Sequence, residues 1–186
     1  MCVQQFELDV SQSYAEVHPS SLRAVENMVA MEELSEAAIL HNLRLRFSEN
    51  LIYTHISSIL VSINPFKQMN IYSPAIMKEY RERLARMERV APHVYGLADA
   101  AFANLRGEER DQSVIISGES GAGKTEATKL VLQYMAEMSG QGNDVEQQLL
   151  SSNPIIEVHA TTMPDRGNAM RLSARCRWQS GCAATS

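Results

Sequence analysis

Residues 118–125 read Gly-Glu-Ser-Gly-Ala-Gly-Lys-Thr, a spacing of the form GxxxxGK[ST]. Each position has a chemical use. Gly118, Gly121 and Gly123 open backbone angles closed to other residues, so main-chain N–H groups can crowd around phosphate oxygens. A helix starting near Lys124 would aim its unpaired N–H groups and positive dipole end at the same anion. Lys124 could then reach outer phosphates, and the Thr125 hydroxyl could ligate Mg²⁺. The pattern is meaningful only between a strand and a helix. Both flanks are present. "QSVIISG" before it reads as a short apolar strand of the sort buried in a parallel sheet. After it, Ala127, Leu130, Val131, Tyr134, Met135 and Met138 repeat at helical spacing.

Further elements must hold this loop. "LSEAAILHNLRLRF" reads as a helix capped by Ser35, with Ile39, Leu40, Leu43 and Phe47 on one side. "LIYTHISSILVSIN" is rich in β-branched residues and reads as two strands, 51–54 and 58–63, joined by a tight turn. A second helix starts at Ser73-Pro74, where the missing proline N–H costs nothing, with a stripe of Ile76, Met77, Tyr80, Leu84 and Met87. The mixed Arg and Glu residues between them read as a solvated face. "PHVYGLADAAFANLRG" gives a third helix, with Val94, Leu97, Ala98, Ala101, Phe102 and Leu105 inward and Gly107 as a stop. "VEQQLLSSNPIIE" reads as a last short helix ending near Asn153 and Pro154.

Composition narrows the field. The 186 residues are 45% hydrophobic and 21% charged, a globular balance, and the net charge of −5 argues against a general nucleic-acid or anionic-membrane binder. No apolar run is long enough to span a membrane, and no basic-then-apolar leader follows Met1. Cys2, Cys176 and Cys182 suggest a reducing compartment and lack zinc-site spacing, and the five histidines are scattered.

The surroundings of the phosphate loop narrow it to a family. "GESGAGKTEATKLVLQYMAE" closely resembles the phosphate loop and following helix of myosin motor heads, and so does "LSEAAILHNLRLRFSENLIYTHISSILVSINPFKQMNIYSPAIM". The family's NPxxxxxxY segment stands here as "NPFKQMNIY", with Asn64, Pro65 and Tyr72 in register. "PHVYGLADAAF" resembles the helix before the phosphate-loop strand, and "VEQQLLSSNPIIE" the approach to switch I. The quoted motifs cover roughly residues 25–157 in order. Kinesin heads also have a GKT loop but not this upstream segment, and small nucleotide kinases place the loop close to the N-terminus.

The resemblance implies an α/β fold: a P-loop NTPase-type mixed sheet with flanking helices, incomplete here, as the N-terminal portion of a motor head. It implies an actin-activated Mg-ATPase, ATP and Mg²⁺ as ligands, actin filaments as partner, and a cytoplasmic, cytoskeleton-associated location. On that reading Asn64, Pro65, Phe66, Lys67 and Tyr72 surround the adenine. Gly118, Glu119, Ser120, Gly121, Ala122, Gly123, Lys124 and Thr125 hold the triphosphate, with Thr125 on the metal.

The expected organisation is a leader over 1–22, a partial motor domain over 23–157, and a divergent, irregular, disordered tail over 158–186. After Glu157 the resemblance breaks. Laid without gaps, the family's switch I Asn-Ser-Ser-Arg becomes Ala169, Met170, Arg171 and Leu172. Ala, Met and Leu offer no donors for phosphate oxygens. No later strand ends in the DxxG of a switch II, and no actin-binding region is recognisable. The polypeptide is therefore expected to be catalytically incomplete and poorly stable. The competing expectation is a non-catalytic ATP-binding or interaction module, from a truncated isoform or a faulty gene model.

Overall fold

The computed structural model describes residues 18–108, 112–139 and 170–174, the last as backbone only. Among the described residues, four helices and four strands follow two short 3₁₀ turns, Pro19–Leu22 and Met28–Ala30. The expected short helix from 145 to about 153, most of the leader and most of the tail lie outside the described residues.

Helix α1 spans Glu36–Ser48, and Ser35 Oγ caps it by accepting from Ala38 N at 3.3 Å. Its inward line is Ala38, Asn42 and Arg46, at four-residue spacing. This differs from the expected apolar side: Ile39 and Leu43 pack against Met28 and Met31, but Leu40 is 69% exposed and Phe47 is exposed. The two polar residues won the interior because they satisfy neighbouring backbone. Asn42 accepts from Val25 N at 2.7 Å and donates to Val25 O at 3.1 Å. Arg46 donates to Thr54 Oγ1 and to the Tyr53 carbonyl, both at 2.9 Å. Burial lowers the Arg46 pKa, opposed by the nearby Glu26 and Glu49 charges.

The expected hairpin is present with shifted bounds. Strands β1 (Tyr53–Ile56) and β2 (Ile59–Ser62) pair antiparallel, Tyr53 opposite Ser62 and Ile56 opposite Ile59. Ser57 turns the corner at φ 56°, and its N–H donates to Asn27 Oδ1 at 3.2 Å.

Helix α2 (Pro74–Ala85) starts from Ser73 as expected, Ser73 Oγ accepting from Ile76 N at 3.4 Å. Met77 is buried with Ile76 and Tyr80 beside it. Met87, expected on the stripe, lies past the helix end at φ 57° and is 96% exposed. Helix α3 (Val94–Glu108) runs through Gly107 instead of stopping there. Helix α4 is Lys124–Ser139. It packs on α3, and α3 on α2 and on strand β3, Gln112–Ile116. The main core joins Ile52, Tyr53, Met77, Val94, Tyr95, Ala98, Val131 and Tyr134.

Strand β3 corrects two expectations. Its residues alternate between half-buried and exposed, with Ile115 68% exposed, so it is not a strand buried on both faces. Its partner is antiparallel: β4, Met170–Ala174, with Gln112 opposite Ala174 and Ile116 opposite Met170. Residues 170–174 are thus a strand within the segment expected to be irregular. A strand edge carries a row of N–H and C=O groups that any extended segment can pair with, whatever its motif. The described sheets are two antiparallel pairs, β1–β2 and β3–β4.

Candidate nucleotide-phosphate site

Strand β3 delivers the chain into Ser117–Gly123, and α4 takes it away from Lys124. Between them the path depends on glycine. Gly121 has φ 78° and Gly123 φ 95°, which an L side chain adopts only with strain. At Gly118 the constraint is closeness: a Cβ there would come within 3.1 Å of Ala122 Cβ. Ala122 N closes the turn by donating to Glu119 O at 3.2 Å. Gly118, Glu119, Ser120, Gly121 and Ala122 are all exposed, while Gly123, Lys124 and Thr125 are half-buried.

Lys124 arches back over this turn. Its Nζ donates to the carbonyls of Gly118 and Glu119, each at 2.8 Å. The ammonium thereby sits against the loop main chain at the N-terminal end of α4. The first N–H bonded within the helix is anchored where Gly123 O accepts from Ala127 N at 2.9 Å. Thr128 Oγ1 returns to Lys124 O at 3.0 Å and steadies the first turn. N–H groups in a helix's first turn have no acceptor inside the helix, so this end carries partial positive charge beside a full one. A glycine-built turn with the Lys124 ammonium against it at a helix N-terminus is chemically suited to a polyphosphate. Among the described residues no three His, Cys, Asp or Glu side chains cluster to hold a metal ion. A Mg²⁺ here would rest on phosphate oxygens and the Thr125 hydroxyl.

The upstream segment reaches this turn through Asn64. Asn64 Nδ2 donates to Gly121 O at 2.8 Å, and its Oδ1 accepts from Phe66 N at 2.9 Å. Pro65 is half-buried beside it, while Phe66 stands 85% exposed at φ 50°, an uncommon posture for an aromatic. Lys67 Nζ hydrogen-bonds Asn50 Oδ1, on the α1 side.

Tyr72 is placed differently. Its hydroxyl pairs with Tyr53 OH at 2.9 Å, and its carbonyl accepts from Tyr95 OH at 3.0 Å. It belongs to a cluster of rings that sequence reasoning did not assemble. His93 lies 4.6 Å from Tyr95, 4.8 Å from Tyr80, 5.0 Å from Tyr53 and 5.6 Å from Tyr72, centroid to centroid. Tyr95 stacks on Tyr134 at 5.3 Å, and Tyr134 OH donates to Asp99 Oδ1 at 2.8 Å.

Burial pushes the Tyr53 and Tyr134 hydroxyls far up, and that of Tyr95 to about 12. It holds His93 down at about 4, with the Ile71 backbone acting against it. His93 Nδ1 accepts from Tyr95 N at 3.1 Å, which caps α3 and leaves the imidazole proton on Nε2. Nε2 has no hydrogen-bond partner of good geometry among the described residues. One signal for this cluster was available. His93 and Tyr95 lie at the start of α3, where an imidazole can cap, and Tyr80 is on the apolar stripe of α2, but their meeting with Tyr53 and Tyr134 is non-local.

Comparison with known proteins decides the family: the myosin head (motor domain) matches residues 25–170. The chain belongs to the myosin head family. The match runs past Glu157, where the quoted motifs end. Myosin-VIIa of Drosophila melanogaster is 48% identical over 141 residues, 76% of this chain and 6% of that protein. Unconventional myosin-Ic of Gallus gallus is 50% identical over 142 residues, 74% of this chain and 14% of its own length. The high molecular weight form of myosin-1 of Acanthamoeba castellanii is 44% identical over 150 residues, 81% of this chain and 9% of that protein. This myosin chain therefore spans a small part of the length of these relatives. No helix among its described residues is long and apolar enough to cross a membrane.

Proposed function

We propose that this myosin segment is the part of a motor head that grips Mg·ATP, with Gly118–Thr125 on the triphosphate and Asn64–Lys67 and Tyr72 toward the adenine. The supporting observation is the seat of Lys124: its Nζ lies 2.8 Å from two loop carbonyls, at a helix N-terminus and over a turn that only glycine can make. That places positive charge and main-chain N–H groups together, as a polyphosphate requires. Bound Mg·ATP would supply a transferable phosphoryl group. The chain's own residues supply its seat: Lys124 balances charge, Thr125 offers a hydroxyl to the metal, and the glycines let the backbone approach. The P-loop NTPase-type sheet belongs to the same proposal, as do actin as partner and a cytoskeletal location, which follow from the family.

A second reading has its own support. Ala169, Met170 and Leu172 stand where the family's switch I polar residues would lie in an ungapped register. Phosphoryl transfer depends on such positioned charge and hydrogen-bonding groups. On this reading the segment binds ATP without turning it over.

Titration of the protein with ATP, with and without Mg²⁺, tests the binding claim against Lys124→Ala. Micromolar binding that needs Mg²⁺ and weakens about 10- to 100-fold in the variant is expected, the scale of one charge-assisted contact. Equally weak binding in both proteins would overturn it. Turnover accompanying binding would remove the second reading.

A further inference from the structure

We propose that Asn64 is a positioning residue for the phosphate loop, so that the adenine-side segment sets how well the protein grips phosphate. The inference rests on the nucleotide reading above and adds a role distinct from contact with a base.

Three observations converge on this side chain. Its Nδ2 donates to Gly121 O at 2.8 Å, across 57 residues of sequence. Its Oδ1 accepts from Phe66 N at 2.9 Å, closing a local turn in its own segment. A Cβ added to Gly123 would lie 4.0 Å from the same Nδ2, so the amide covers the stretch from Gly121 to Gly123. The two hydrogen bonds together fix which end of the amide faces which loop, because the oxygen cannot donate and the nitrogen cannot accept.

The consequence lies in peptide geometry. A carbonyl held from one side fixes the plane of its peptide and with it the direction of the following N–H. Holding Gly121 O therefore orients Ala122 N, already donating to Glu119 O at 3.2 Å, and steadies the two left-handed glycines on either side. Glycine at positive φ is otherwise the most mobile point of a backbone. An untied loop must lose that freedom on meeting phosphate, and the loss weakens binding. Asn64 has removed it in advance. Phe66, at φ 50° and 85% exposed, is the other end of the same device, because the turn that fixes the amide also fixes Phe66. Whatever packs on Phe66 thus bears on the phosphate loop through one side chain.

Asn64→Ala removes both bonds. Asn64→Ser is the sharper variant, since a serine hydroxyl can accept from Phe66 N but is too short to reach Gly121 O. Amide exchange over residues 118–123 is measured without ligand, and affinities for magnesium tripolyphosphate and Mg·ATP follow. The Ser variant is expected to exchange faster over 118–123 and to lose about three- to tenfold in affinity for both probes, the scale of one hydrogen bond. Unchanged exchange over 118–123 would overturn the proposal, as would weakening toward ATP alone, which would make Asn64 a base contact only. Wild-type protein that binds neither probe would overturn the nucleotide reading itself, a result separate from any behaviour of the variant.

Discussion

Between Gly118 and Lys124 almost every polar contact is made with backbone: carbonyls of Gly118, Glu119 and Gly121 receive the Lys124 ammonium, the Ala122 N–H and the Asn64 amide. Between Tyr53 and Tyr134 the contacts are rings and hydroxyls, with His93 at the centre and Tyr95 and Tyr134 fully buried. Both regions meet the same segment, the loop at its Asn64 end and the rings at its Tyr72 end. The contrast separates two tasks. The loop is held through its main chain and depends little on side-chain burial, with Gly118 to Ala122 all exposed. A cluster that must hold the segment still buries its rings and pairs its tyrosine hydroxyls internally, as Tyr53 with Tyr72, Tyr95 with the Tyr72 carbonyl and Tyr134 with Asp99.

Substitutions should therefore affect one property and spare the other. The largest effect belongs to Tyr95→Ala, which empties a fully buried ring site and leaves the Tyr72 carbonyl without its 3.0 Å donor. We expect a loss of about 3–5 kcal/mol in urea unfolding, in the range for large aromatic truncations. A loss below about 1 kcal/mol would show that the rings are not the brace.

The next effect is pH-dependent. His93 has a folded pKa of about 4, below its ordinary 6.5, so the unfolded chain binds a proton more readily. Its contribution is complete above pH 6.5 and is lost as pH falls toward 4, about 3 kcal/mol in all. The rings facing it belong to Tyr53, Tyr72, Tyr80 and Tyr95, all uncharged in that window. His93→Asn can keep the cap on Tyr95 N and cannot titrate. Urea midpoints between pH 7 and 4 should fall less steeply in that variant, and parallel slopes would contradict the assignment. The smallest effect on stability is expected from Lys124→Ala, within about 0.5 kcal/mol. Its binding defect should make it the mirror image of Tyr95→Ala.

The two regions also differ in how far the amino-acid sequence revealed them. The turn before α4 was legible residue by residue, because positive φ favours glycine at Gly121 and Gly123 and the helix begins at Lys124 as its pattern implies, while its grip on phosphate belongs to the proposal. Caps were legible for the same local reason, at Ser35 and Ser73. The ring cluster was not, since helical spacing says which residues of α3 and α4 face inward but not that they meet Tyr53. On α1 the apolar pattern pointed to Leu40 and Phe47, whereas Asn42 and Arg46 took the interior by bonding Val25, Tyr53 and Thr54. Such bonds join one element to its neighbours, 7 to 17 residues away, and no periodicity encodes them. The pairing of β3 with β4 was hidden more deeply: an unfilled strand edge accepts extended backbone with little regard for side-chain identity.

The central claim is that the Asn64–Tyr72 segment and the Gly118–Thr125 loop act as one nucleotide site braced from below. Amide exchange over both segments, with and without saturating Mg·ATP, tests it most directly. The account predicts slowed exchange at both, with the amides of α3 near Tyr95 unchanged. Slowing at 118–125 alone would contradict the joint site, and slowing at neither would contradict the site altogether.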